Sequence, residues 1–200
     1  MPHSIGASAV PPPHRPWDPD DSPDFHASRL LLLVAECGSD PGPHIAGRTK
    51  LAKLDFFLRY PAFLERAHTE LADTLSGQRA FRASRPEEVE APMIRYRFGP
   101  WDPRYRQFLT FLMARGLITI TTSHRPERVR LTSTGKRAAA ALADMDEFHP
   151  IVTRCRAMRD NLAQWSGTDL KNLVYQLFPE EVADLALNRP GFGRDFRLWL

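Results

Sequence analysis

The chain has 200 residues, with 27 Lys plus Arg against 24 Asp plus Glu, 42% hydrophobic and 10% aromatic. This length suits one domain, or one with an appendage, and the composition excludes collagenous and wholly disordered classes. No run approaches the ~20 apolar residues needed to cross a bilayer, so no membrane partner is expected. The first residues lack a charged n-region and an apolar h-region, and no secretory signal is expected. Cys37 and Cys155 lie in separate segments, which fits a reducing cytoplasm better than a disulfide framework.

The small net charge of +3 hides a polarised chain. Residues 91–137 hold ten Lys plus Arg and two acids, a local charge of +8, which leaves −5 elsewhere. Such a segment suggests a surface that meets phosphates or an acidic partner. The plainer alternative is an ordinary solvated face.

Residues 1–26 contain seven of the 18 prolines together with Asp18, Asp20, Asp21 and Asp24. Too little apolar surface is available there to offset ordering entropy, so this tail is expected to be disordered and dispensable for folding. Order is expected from about Ala27, with Leu30, Leu31, Leu32, Leu33 and Val34 in a short buried helix broken after Gly38. Residues 48–59 read as a second helix, its stripe formed by Leu51, Leu54, Phe57 and Leu58. Lys50, Lys53 and Arg59 lie off that stripe, and Lys50 and Lys53 are expected to be solvated unless a partner's acids or DNA meet them. Pro61 then starts a third helix over about 62–75, followed by a polar loop over 76–92.

Residues 93–98 alternate as a half-buried strand, and Gly99-Pro100 reads as the turn that ends it. Asp102 is expected to cap a helix that has Pro103 at its first position and runs to about Arg115, ended by Gly116. Its inner stripe is Tyr105, Phe108, Leu109 and Leu112. Residues 117–122 and 128–132 form a hairpin, and Ser133-Thr-Gly opens an alanine-rich helix to about Ala143. Helix, helix, strand, helix, hairpin, helix is the order of a winged helix domain. The expected fold is therefore mainly α with a small β-hairpin wing. A winged helix domain over 27–145 is followed by a helical extension over 146–188 and an apolar tail over 189–200. The extension is expected to hold helices around 151–165, 168–178 and 180–187, with Thr168 and Lys171 as only half a capping box.

Signals of catalysis are weak. There is no Gly-rich phosphate loop, no Cys-x-x-Cys and no His-Glu-x-x-His. The seven histidines are scattered, and neither a metal nor another cofactor is expected. Cys155, among Arg154, Arg156 and Arg159, has a setting that could lower its pKa; the alternative is a small apolar residue on an inner helix face. No enzyme is read here.

The hairpin tip offers His124, Arg125, Arg128 and Arg130, side chains able to reach a phosphate or a minor groove without reading sequence. The preceding helix would be the recognition helix of a DNA reader. It offers Arg104, Arg106, Gln107 and Thr110, a thin set for base readout. Phe111 and Met113 lie off its inner stripe, so this helix reads as apolar almost all round and as covered by a protein partner. The tail carries Phe192, Phe196, Leu198, Trp199 and Leu200, apolar enough to need a cover. Either it folds back on the chain, or Phe192, Phe196 and Trp199 dock into a partner's groove.

Certain stretches carry a resemblance. These are Gly47-Arg-Thr-Lys-Leu-Ala-Lys-Leu-Asp-Phe-Phe-Leu-Arg-Tyr-Pro61, Tyr96-Arg-Phe-Gly-Pro-Trp-Asp102, Gly116-Leu-Ile118, Leu131-Thr-Ser-Thr-Gly135 and Leu170-Lys-Asn-Leu-Val-Tyr175. Together they resemble the middle component of ABC three-component systems, a family that includes the small accessory subunit of Lamassu-type antiphage defence operons. The order Phe-Gly-Pro, Gly-Leu-Ile, Leu-Thr-x-x-Gly is also similar to the antitoxin-like Panacea domain. The resemblance spans about residues 27–187.

It implies a cytoplasmic, non-enzymatic winged helix adaptor that bridges an SMC-like ATPase and an effector subunit of nuclease type. Such an adaptor could also touch duplex DNA without sequence preference. Two alternatives stay open: a stand-alone winged helix transcription regulator, and an antitoxin that binds a toxin partner.

Overall fold

The computed structural model describes residues 22–39, 42–71, 81–82, 93–96, 99–123 and 126–179. They form a mainly helical fold with a small antiparallel sheet. In chain order the elements are α1 (Pro23–Cys37), β1 (His44–Ala46), α2 (Arg48–Arg59), α3 (Pro61–Glu70), β2 (Ile94–Tyr96) and β3 (Gly99–Trp101). They continue with α4 (Tyr105–Ala114), β4 (Ile118–Thr121), β5 (Arg128–Leu131), α5 (Ser133–Ala143), α6 (His149–Arg159) and α7 (Gly167–Leu177). Among the described residues no helix is long and apolar enough to cross a membrane.

Two helices make the interior. Helix α1 buries Leu30 through Val34 without interruption and packs against α4, α5 and α6. It begins earlier than expected, because Ser22 accepts a hydrogen bond from the Phe25 amide and Pro23 has the φ a first helical turn requires. Residues 22–26, expected to be disordered, are therefore ordered, and residues 1–21 lie outside the described residues. His26, placed in that segment by the sequence, is fully buried.

Helix α2 has the expected bounds but not the expected exposure. All ten residues from Lys50 to Arg59 are buried, since α1, α3, α6, α7, β1 and β3 surround the helix. The solvated face expected for Lys50 and Lys53 does not exist, and Arg59 is buried with them. A helix enclosed on every side has no polar stripe for periodicity to reveal.

β1, which follows the break read at residues 38–43 and is not expected as a strand, joins the hairpin β4–β5 to give a three-stranded sheet of order β1-β5-β4. Ile45, Val129, Leu131 and Ile118 point into the core. Gly99-Pro100 is not a turn: Gly99–Trp101 pairs with Ile94–Tyr96 in a second, two-stranded sheet, with Tyr96 opposite Gly99. Gly116, at φ 64°, ends α4. Gly135 is required by a close approach, since a Cβ there would stand 1.9 Å from the Leu117 carbonyl oxygen. Thr132 caps α5 by accepting from the Gly135 amide at 2.9 Å.

The C-terminal helices differ in their starts and stops. α6 stops at Arg159 and a short 3-10 turn, Leu162–Gln164, follows. The half capping box at Thr168 is replaced by a full one, with Ser166 as N-cap and Asp169 returning a hydrogen bond. Helix α3 ends at Glu70, short of the expected 75. The helix expected at 180–187 and the apolar tail lie outside the described residues.

Candidate interaction surface and the buried ion network behind it

Helix α4 is amphipathic, which overturns its reading as apolar on all sides. Tyr105, Phe108, Leu109 and Leu112 face the core, while Arg106, Gln107, Thr110, Met113 and Ala114 are exposed. Phe111 is half-buried at the edge, with the Arg115 guanidinium 4.8 Å from its ring centre. Met113 is 37% exposed. Of the expected partner-binding pair, only Met113 stands fully on the outer face.

Arg128 and Arg130 alternate with the buried Val129 and Leu131, so both lie on the outer face of the sheet. Opposite them stand Thr121 and Thr119 of β4, and Ala46 and His44 of β1. That side of the sheet thus carries Arg128, Arg130, Thr119 and Thr121 from the hairpin, with Ala46 and the buried His44 on the β1 edge. Arg104 precedes α4 and pairs with Asp102. Its Nε and Nη2 donate to the Asp102 carboxylate at 3.1 and 3.0 Å, and its guanidinium lies 5.4 Å from the Phe108 ring centre. Arg106 is exposed on α4, and Arg128 and Arg130 share one face of β5. His124, Arg125, Phe192, Phe196 and Trp199 lie outside the described residues.

Behind this surface runs a network that sequence reasoning missed. Asp55, in the middle of α2, accepts from Arg29 Nε of α1 at 2.9 Å, from Arg59 Nε at 2.9 Å and from the Tyr105 hydroxyl of α4 at 2.7 Å. Arg59 Nη1 also donates to Asp102 at 2.8 Å, and the Arg104 amide donates to the same carboxylate at 2.8 Å. Arg29 Nη1 donates to His26 Nδ1 at 2.9 Å, which fixes that nitrogen as an acceptor. The side chains of Arg29, Asp55 and Arg59 are wholly buried.

The network sets the charge states. Burial alone would push the Asp55 carboxyl up, but Arg29 and Arg59 together hold it far below the ordinary carboxylate range. Asp102, raised by burial, is brought below its ordinary value by its hydrogen bonds from Arg104 and the charge of Arg59. Burial pushes the Tyr105 phenol well up, and the Asp55 charge adds to this, so Tyr105 stays a donor. The motif Leu54-Asp-Phe-Phe-Leu-Arg59 carried a signal for this pair, an acid and an arginine spaced four apart inside an apolar helix. Its partners on α1 and α4 are distant in sequence and left no trace.

Cys155 is buried, and burial together with the neighbouring Cys37 pushes its thiol well up. The nearby arginines do not activate it. The Cys37 thiol donates to the Cys155 carbonyl at 3.3 Å, which brings together two residues that the sequence places in different segments. No group of three or more His, Cys, Asp and Glu among the described residues is placed to hold a metal ion. Comparison of the chain with protein-family models, with curated proteins and with solved structures returns no match.

Proposed function

We propose that this chain is a winged helix adaptor, a non-catalytic subunit that works beside an SMC-like ATPase and a nuclease-type effector in antiphage defence. The observation that carries the reading is topological. The chain order α1, β1, α2, α4, β4 and β5, with the sheet ordered β1-β5-β4, supports a winged helix reading. In that reading α3 and the hairpin β2–β3 are an insertion between the second and third helices, and β4–β5 is the wing. The resemblance of Gly47 to Pro61 and of Tyr96 to Asp102 to the ABC three-component middle subunits supplies the partners.

The working surface is the outer face of α4 with the outer face of the sheet. Arg106, Arg128 and Arg130 supply phosphate contacts, and Met113 supplies an apolar contact. Phosphate contacts of this kind give salt-sensitive DNA binding, of the order of 10⁻⁴–10⁻⁶ M, without sequence information.

A stand-alone transcription regulator is the second reading, and the exposed set Arg106, Gln107 and Thr110 on α4 favours it. Purification of the tagged chain from its native operon separates the two. Co-elution of a coiled-coil ATPase supports the adaptor. A homodimer that alone protects a palindromic site upstream of its own gene overturns it.

A further inference from the structure

Between Asp102 and Asp144 the chain carries eight Lys plus Arg and one acid, Glu127. That acid directly precedes Arg128 of β5, so its charge lies inside a Debye length of about 10 Å from an anion held there. Left to itself, a carboxylate at this place would repel a phosphate and offset the arginine beside it.

Glu127 has a fixed partner 79 residues away in the chain. Arg48, the first residue of α2, donates from Nη2 to Glu127 Oε2 at 2.9 Å and from Nε to Glu127 Oε1. Two parallel bonds between a guanidinium and a carboxylate make the strong, geometrically specific form of this pair. The side chains are 21% and 18% exposed, so water screens the pair only in part. Helix α2 gives no reason for an arginine there, because a cation at a helix start opposes the macrodipole. Its placement is explained by Glu127.

Strand β5 does not need this pair to keep its place. The Gly47 amide donates to the Glu127 carbonyl at 2.7 Å, and the Leu131 amide donates to the Pro43 carbonyl at 3.1 Å. Between those bonds, Ala46 and His44 of β1 stand opposite Arg128 and Arg130. Backbone bonds thus hold both ends of the strand, and what Arg48 adds is charge.

We infer that Arg48 is a positioning residue of the phosphate-contacting face: it neutralises Glu127 and so preserves the positive field of Arg128 for the phosphates of a duplex. The inference rests on the reading of Arg128 and Arg130 as phosphate contacts. It adds to that reading a residue that acts on the face without touching a phosphate itself.

The test uses the full chain and a short labelled DNA duplex, with affinity read by fluorescence anisotropy across a sodium chloride series. Arg48→Ala is expected to weaken binding by about fivefold at low salt and to make the salt slope shallower by about one. Arg48→Gln, which keeps the stem of the side chain, carries the same expectation if Arg48→Ala disturbs the fold seen by circular dichroism. Adding Glu127→Gln to either variant removes the exposed carboxylate and is expected to return affinity and slope to those of the parent. A double variant as weak as the single one would mean that Arg48 touches phosphate itself or supports the fold, and overturns the inference. Arg128→Glu separates the inference from the reading beneath it. If Arg128→Glu leaves duplex binding unchanged, the phosphate-contacting face itself fails. If Arg128→Glu abolishes binding and neither Arg48 variant weakens it, only the role of Arg48 fails.

Discussion

Arg29 of α1 donates to Asp55 of α2 at 2.9 Å, with neither side chain exposed to solvent. Removing one partner of such a pair strands a buried charge. Asp55→Asn is therefore expected to lower stability by about 3–5 kcal/mol in urea unfolding, since it leaves both Arg29 and Arg59 short of an anion.

The same network sets the acid limit. Folded Asp55 and Asp102 release their protons more readily than they do in the unfolded chain. The stability they carry is complete above the unfolded carboxyl range of about pH 4 and is lost as the pH falls through the lower folded values. Unfolding free energies measured between pH 6 and pH 2 are expected to fall steeply, with a shallower fall in Asp55→Asn.

Lys53 has the opposite sign. Burial, and then the charge of Lys171, push its amine down to about 8. Below that pH its charge opposes folding in full, and the opposition fades as the pH rises toward the unfolded lysine value of about 10.4. Lys53→Met is expected to be more stable than the parent at pH 7, with the gap closing by pH 10.5. A constant gap would show that Lys53 packing, not its charge, is what the substitution changes.

At the start of α5, Gly135→Ala would drive a methyl to 1.9 Å from the Leu117 carbonyl oxygen, a backbone atom that cannot turn aside. A loss of about 3 kcal/mol is expected. Thr132→Ala, which removes only the cap on the Gly135 amide, is expected to lose about 1 kcal/mol. Thermal melts of the two variants should fall in that order.

Deletion of residues 1–26 removes the Ser22 cap and the fully buried His26, so it is expected to lower the melting temperature by several degrees. A deletion of 1–26 that melts with the full chain would show that α1 needs neither.

What the sequence discloses and what it hides divide by range. The end of α4, the start of α5 and the hairpin β4–β5 are written in local signals: Gly116, Thr132, and the alternation of Arg128, Val129, Arg130 and Leu131. Strand β1 is three residues long and exists only because β5, more than 80 residues later, pairs with it. The charged residues of α2 are hidden for a related reason. Arg29, Asp55 and Arg59 look like scattered polar residues, and Tyr105 like part of an apolar stripe, until three helices meet. On the outer surface, Arg128 and Arg130 could be placed from strand alternation alone. The pairing of Arg104 with Asp102 needed the turn before α4.

The working surface is tested most directly by amide hydrogen exchange on the chain, free and in the complex recovered from its native operon. Slowed exchange confined to α4 and the β4–β5 strands, diminished by Met113→Glu and by Arg128→Glu, is the expected result. Unchanged exchange across α4 and β4–β5 in a complex that nonetheless contains the ATPase would contradict it.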